Sequence, residues 1–102
     1  MVISRWVIIL CCLGGAAPAW ASEGHDVYKQ TCAGCHSAGV TGAPRLGNNA
    51  DWKNRLLAGR SALLHSVLNG NGAMPPKGGD ASLTDAQAEA ALDYILSTVD
   101  SQ

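Results

Sequence analysis

The stretch Cys32-Ala33-Gly34-Cys35-His36 decides how this chain is read. Two thiols three positions apart share one helical turn, so both can add to the two vinyl groups of a single haem. The next residue, His36, then sits beneath the iron as its proximal ligand. Gly34 keeps the backbone between the thiols from crowding the porphyrin. Other uses of a cysteine pair fit less well. A structural zinc site takes four ligands, often as two such pairs, and the remaining cysteines, Cys11 and Cys12, lie far upstream in an apolar run. A thioredoxin-like dithiol follows a strand in a βαβ unit, whereas residues 22–31 read as helix. A disulfide closing so short a loop adds little stability. The expected cofactor is one covalently attached haem c with its iron, joined at Cys32 and Cys35.

Upstream of the motif, Met1 to Ala21 has the layout of a secretory leader. Arg5 is the positive end, Trp6 to Leu13 the apolar run, and Ala19-Trp20-Ala21 a small-residue cleavage pattern before Ser22. The expected organisation is a signal peptide over 1–21 and one domain over 22–102, exported to the periplasm. Neither Cys11 nor Cys12 follows the small residue that a lipidation site shows. The apolar run is shorter than the roughly 20 residues a transmembrane helix needs, and no later stretch approaches that length, so no transmembrane segment is expected in the mature chain.

Without the leader, 81 of the 102 residues remain, with Tyr28, Trp52 and Tyr94 as the only aromatics, no Phe and ten glycines. A domain this small buries roughly 60% of the surface of its unfolded chain, close to the size at which a core needs a staple. A haem supplies that missing hydrophobic centre, and the haem-free chain is expected to be largely unfolded. Six Lys and Arg stand against eight Asp and Glu. A balance near −2 leaves no basic footprint, so nucleic acid is not an expected partner.

A second iron ligand is found by elimination. Met74 is the one methionine beyond Met1, and it lies in Gly70-Asn71-Gly72-Ala73-Met74-Pro75-Pro76-Lys77-Gly78-Gly79. Glycines and prolines on both sides mark an irregular loop, where a methionine has little periodic core to fill. The prolines stiffen the loop and lower the entropy cost of holding a soft sulfur on iron. The alternatives are His25, at the start of the mature chain, and His65, on the side of its helix away from Leu64, Val67 and Leu68. Both read as solvated surface histidines.

The periodicity is helical throughout. Glu23 to Thr31 groups Val27, Tyr28 and Thr31 on one side and leads into the haem motif. Gly39 to Asn49 reads as loop. Asp51 can cap a short helix over Trp52 to Ala58, and Arg60 to Asn69 makes another, each stopped by glycine. Thr84 with Gln87 forms a capping box. Ala88, Ala91, Leu92, Ile95 and Val99 then make an inward stripe. The expected fold class is all-α, four to five helices around one haem.

Gly24, Tyr28, Cys32 to His36, Gly42-Ala43-Pro44, Trp52 and Met74-Pro75-Pro76-Lys77-Gly78-Gly79 together resemble a class I cytochrome c, nearest the bacterial monohaem cytochrome c5 group, over residues 23 to 99. The Met-Pro-Pro-Lys-Gly-Gly loop, 38 residues after His36, makes the match specific. Many c5 proteins carry an extra cysteine pair after that loop, where this chain has Asp80-Ala81-Ser82. The resemblance implies that the first and last helices cross beside the haem. It also implies that the Pro44 carbonyl accepts the remaining N–H of His36, fixing ring orientation and basicity. Arg45 and Trp52 can donate to the haem propionates, which are costly to bury unpaired; the plainer readings are a surface charge and haem-edge packing. Leu46, Leu57, Leu64, Leu68, Tyr28 and Tyr94 are candidates for the apolar wall.

With His36 and Met74 both on the iron, no position is left for substrate. The expected function is then outer-sphere transfer of one electron through an exposed haem edge, not catalysis. The expected partners are redox protein donors and acceptors, membrane-associated respiratory complexes among them. A fixed electron-transfer subunit of a larger oxidoreductase is the alternative, and a sensing haem with a displaceable Met74 is a third reading.

Overall fold

Helix caps and one close backbone crossing account for most of the architecture. The computed structural model describes residues 19–99. α1 spans Ala19–Val27, a π-helical turn spans Tyr28–Cys32, and α2 spans Ala33–His36. Val27, Cys32 and Ala33 all keep right-handed helical angles, so residues 19–36 form one continuous helical run. α3 is Asn49–Leu56, α4 is Arg60–Asn69 and α5 is Asp85–Ser97. Among the described residues the only β pairing is the bridge between Asn71 and Met74. The chain is all-α. Met1 to Pro18, most of the expected leader, lie outside the described residues, and α1 runs helically through the expected cleavage point.

α5 forms as its sequence dictates. The Thr84 hydroxyl accepts from the Gln87 amide at 3.1 Å, and the Gln87 side chain accepts from the Thr84 amide at 2.9 Å. Such a cap stabilises a helix by about 1 kcal/mol. Ala88, Ala91, Leu92, Ile95 and Val99 are all buried.

α1 lies across α5 at Gly24. A Cβ on Gly24 would stand 2.1 Å from the Ala90 carbonyl oxygen and 3.1 Å from Tyr94 Cβ. Backbone meets backbone there, and the aromatic pair Tyr28–Tyr94, with centroids 5.4 Å apart, closes the crossing one turn on. α4 is tied to α5 by Arg60, which reaches Glu89 at 2.7 Å and Asp93 at 2.9 Å. These half-exposed pairs orient the helix more than they stabilise it.

Two helices differ from expectation. α3 is capped by Asn48, whose side chain accepts from the Asp51 amide at 3.0 Å, rather than by Asp51. Both residue types cap well, and Asp51 is drawn instead to Arg45 at 2.7 Å. Starting earlier, the helix also ends earlier, and Leu57 projects into solvent at 79% exposure instead of joining the apolar wall. On α4 the inward stripe is Leu63, Ser66 and Val67, with Leu64 and Leu68 half-buried to the side. The polar Ser66 hid that i, i+3, i+4 pattern.

The core is thin. Among the described residues, three of the nine buried apolar side chains are alanines, and the bulky cluster is Tyr28, Trp52, Ile95 and Val99, flanked by half-buried Leu46 and Tyr94. At so close a crossing there is no room for a methyl group. Gly24→Ala is therefore expected to destabilise the holoprotein by about 1–3 kcal/mol, the usual range for overpacking. A lower denaturant midpoint with an unchanged slope would register it.

Candidate functional site

The helical run 19–36, α4, the 70–79 loop and α5 enclose a cavity of about 340 Å³, within the range of small-molecule sites. Cys32, Cys35 and His36 enter from one side and Met74 from the loop. Leu63 and Val67 of α4 and Ala88, Ala91, Leu92 and Ile95 of α5 supply apolar wall. Thr41, Pro44, Trp52 and Arg55 stand at the same cavity from the intervening segment.

His36 is buried, and its Nδ1 lies 2.8 Å from the Pro44 carbonyl oxygen. A carbonyl can only accept, so Nδ1 carries the hydrogen and Nε2 keeps the lone pair that a metal requires. The Leu46 amide donates back to the His36 carbonyl at 2.8 Å, so the 44–46 loop grips both ends of the residue.

Met74 is held by its backbone. Its amide donates to Asn71 at 3.0 Å, and its carbonyl accepts from Asn71 at 2.9 Å. Gly70, at φ +86°, lets α4 stop directly against this turn: a Cβ there would meet the Met74 carbonyl oxygen at 2.8 Å and the Pro76 nitrogen at 3.1 Å. Beyond it, Lys77 donates to the Leu83 carbonyl at 2.8 Å and pairs with Asp85 at 2.9 Å, anchoring the loop to the start of α5. Asp80 accepts from the Ser82 amide at 3.0 Å and from its hydroxyl.

Both thiols are free. Burial, with a smaller contribution from Cys35, pushes the Cys32 thiol up to about 11. Surroundings that disfavour a thiolate suit an uncharged thioether. Beyond its own helical turn, no protein atom lies within 4 Å of where a Cβ on Gly34 would stand, so that position opens onto free space. Two free thiols, an imidazole with Nε2 available, a thioether and apolar walls all face one space. These residues fit a haem. Among the described residues no three His, Cys, Asp or Glu side chains converge as a metal cage.

The polar rim differs from the sequence reading. Trp52 lines the cavity, but its single N–H donates to the Arg45 carbonyl at 2.9 Å. The Arg45 guanidinium is taken by Asp51, at 2.7 Å from Nε and 3.1 Å from the terminal nitrogen, and Arg45 does not line the cavity. Both donors have protein acceptors in this structure; the charged side chain lining the cavity on this side is Arg55, which donates to the Asp51 carbonyl at 2.8 Å. Sequence reasoning missed it, although it follows Trp52 by three residues, the spacing that shares a helix face. His25 lies edge-on to Tyr94 at 5.1 Å, and His65 faces Asn69 at 3.2 Å; neither lines the cavity.

The family model described as cytochrome c oxidase, cbb3-type, subunit III matches residues 19–95. The chain is 39% identical over 87 residues to cytochrome c-555 of Chlorobaculum tepidum, covering 81% of each. It is 42% identical over 74 residues to cytochrome c5 of Azotobacter vinelandii, covering 71% of this chain and 89% of the relative. It is also similar to a chain in the crystal structure of an electron transfer complex of nitrite reductase with cytochrome c. That match has a TM-score of 0.70 and 42% identity, and it covers 74% of this chain and 93% of the other.

The Arg45–Asp51 pair sets a pH window. Hydrogen bonds from the Arg45 side chain and backbone hold the Asp51 carboxyl down at about 2, from an ordinary 3.8. Because the folded value is the lower one, the pair's contribution is present above the ordinary value and is lost as pH falls towards 2. Stability of Asp51→Asn, measured by denaturant titration, is expected to fall less steeply than that of the unmodified protein over this window.

Proposed function

The chain belongs to the class I c-type cytochromes, and from that premise we propose that it is an exported one-electron carrier whose iron is ligated by His36 and Met74. It is a small monohaem cytochrome of electron transfer, not an enzyme, and its cofactor is covalently bound haem c. When bound, the haem supplies the ferric–ferrous couple. Everything else falls to the side chains. Cys32 and Cys35 hold the porphyrin through thioethers. His36 offers Nε2 to the iron while Pro44 keeps its ring in place. Met74 would offer its sulfur from a turn braced by Gly70, Asn71 and the two prolines, and thioether ligation would favour the ferrous state. Trp52 packs at the cavity edge, and Arg55 is the cation best placed for the porphyrin carboxylates. The observation that carries this reading is the convergence of two thiols, one imidazole and one thioether on a single apolar cavity.

Residues 1–21 direct the chain to the periplasm in this reading. Among the described residues no helix is long and apolar enough to cross a membrane. The partners are redox proteins, with nitrite reductase the acceptor class that the solved relative suggests, and membrane-associated respiratory complexes fit the same role. The match to an oxidase subunit favours a second reading, a fixed electron-transfer subunit of a larger complex. Retention of a partner through purification at high salt would select it.

Optical spectroscopy of holoprotein tests the ligands. Met74→Ala should abolish the ferric methionine–iron charge-transfer band and admit carbon monoxide rapidly to the reduced protein, while His65→Ala should change neither. Survival of the band in Met74→Ala would sink the assignment. Docking is testable as well. Arg45, Arg60 and Lys77 are already paired with Asp51, Glu89, Asp93 and Asp85, which neutralises half of the six Lys and Arg among the described residues. Electron transfer to the partner should change by no more than about threefold as the Debye length falls from about 30 to 8 Å. A steep salt dependence in stopped-flow mixing would contradict it.

A further inference from the structure

We propose that Asp51 sets the electron-donating strength of His36 through the Pro44–Arg45 peptide group. The inference rests on the reading of His36 as an iron ligand and adds a positioning residue to it. The Pro44 carbonyl and the Arg45 amide are two ends of one peptide unit. The carbonyl accepts from His36 Nδ1 at 2.8 Å, and the N–H donates to Asp51 Oδ2 at 3.1 Å. Imidazole, peptide and carboxylate thus form one hydrogen-bonded chain.

The peptide plane is pinned from both sides. The next carbonyl, that of Arg45, accepts from Trp52 Nε1 at 2.9 Å and from the Asn48 amide at 3.1 Å. Asp51 is itself fixed in the first turn of α3 through Asn48 Oδ1, at 3.0 Å from the Asp51 amide. An amide whose N–H meets an anion is polarised, and its carbonyl becomes the stronger acceptor. A stronger acceptor at Nδ1–H makes the imidazole more basic at Nε2. A more basic ligand favours ferric iron. The proton stays on Nδ1 throughout, and no bond is made or broken. Arg45 Nε competes for the same carboxylate oxygen at 2.7 Å, so the guanidinium tempers the relay.

Asp51→Asn in the holoprotein keeps the shape and removes the charge. The His36 Nδ1 proton should then move upfield in the NMR spectrum of the reduced protein. The reduced-to-oxidised ratio in a fixed redox buffer should rise severalfold, tenfold being about 59 mV for one electron. Arg45→Ala keeps the Arg45 backbone N–H and leaves it the whole carboxylate, so both readouts should move the opposite way. This second variant decides the matter if Asp51→Asn does not fold. Glu23→Gln removes an exposed charge on α1 and should move neither. An unmoved Nδ1 proton in Asp51→Asn, or movement in the same direction in both variants, overturns the relay. The methionine–iron band separates the two levels: with the band present and the proton unmoved, the relay alone fails. Absence of the band and of a covalent haem spectrum in the unmodified protein overturns the ligand reading and the relay together.

Discussion

The crossing of α1 over α5 at Gly24 fixes where everything else can stand. Backbone contact there leaves no space for a side chain, so the two helices meet at one register and angle. The direction of α1 then carries Cys32, Cys35 and His36 to one wall of the cavity, while the inner face of α5 becomes another. The π-helical turn between α1 and α2 closes the Ala33 amide on the Tyr28 carbonyl. One extra residue in that turn rotates α2 relative to α1, and such insertions recur at functional sites. Tyr28 therefore packs into the core while Cys32, one turn later, reaches the cavity.

What the protein lacks in core it makes up at the cofactor. Its buried apolar residues include three alanines, and its bulky cluster lies beside the cavity. Apolar burial contributes about 25 cal/mol per Å², so a porphyrin seated in the cavity lined by α4, α5 and the methionine loop would add a large share of the stabilising area. The same residues serve fold and function. Ile95 belongs to the core cluster and to the cavity wall, and so does Trp52. A low-dielectric pocket that stabilises the chain would also keep water from a bound iron, and such burial raises the potential of the couple.

The loop between His36 and α3 shows how much chemistry an irregular segment can hold. Pro44, Arg45 and Leu46 each return a backbone bond to something that matters: the His36 ring, Asp51 and the His36 carbonyl. Trp52 and Asn48 close the same loop from α3. Rigidity here comes from hydrogen bonds that are nearly all local in sequence, spanning residues 36 to 52. It does not require a disulfide, and neither does the methionine loop, where Lys77 and Asp80 do the bracing.

The sequence by itself determined the features whose physics is local. Cysteine spacing, the adjacent histidine, the one methionine in a glycine–proline loop, the capping box at Thr84 and the α5 stripe each depend on residues within a few turns of one another. They were legible, and so was the all-α class. What only the tertiary structure decided was the choice among equally good local options. Asn48 and Asp51 are both competent caps, and the pull of Arg45 on Asp51 settled which one serves. Leu63, Ser66 and Val67 became the inner face of α4 because the cavity lies on that side, though Leu64 and Leu68 look more apolar in sequence. Arg45, Trp52 and Arg55 look alike as donors in the sequence; in the structure the Arg45 guanidinium pairs with the Asp51 carboxylate, the Trp52 N–H with the Arg45 carbonyl, and Arg55 is the cation of the three that lines the cavity. Short-range chemistry can be read from spacing, but competition between partners is resolved only when the chain brings them within reach.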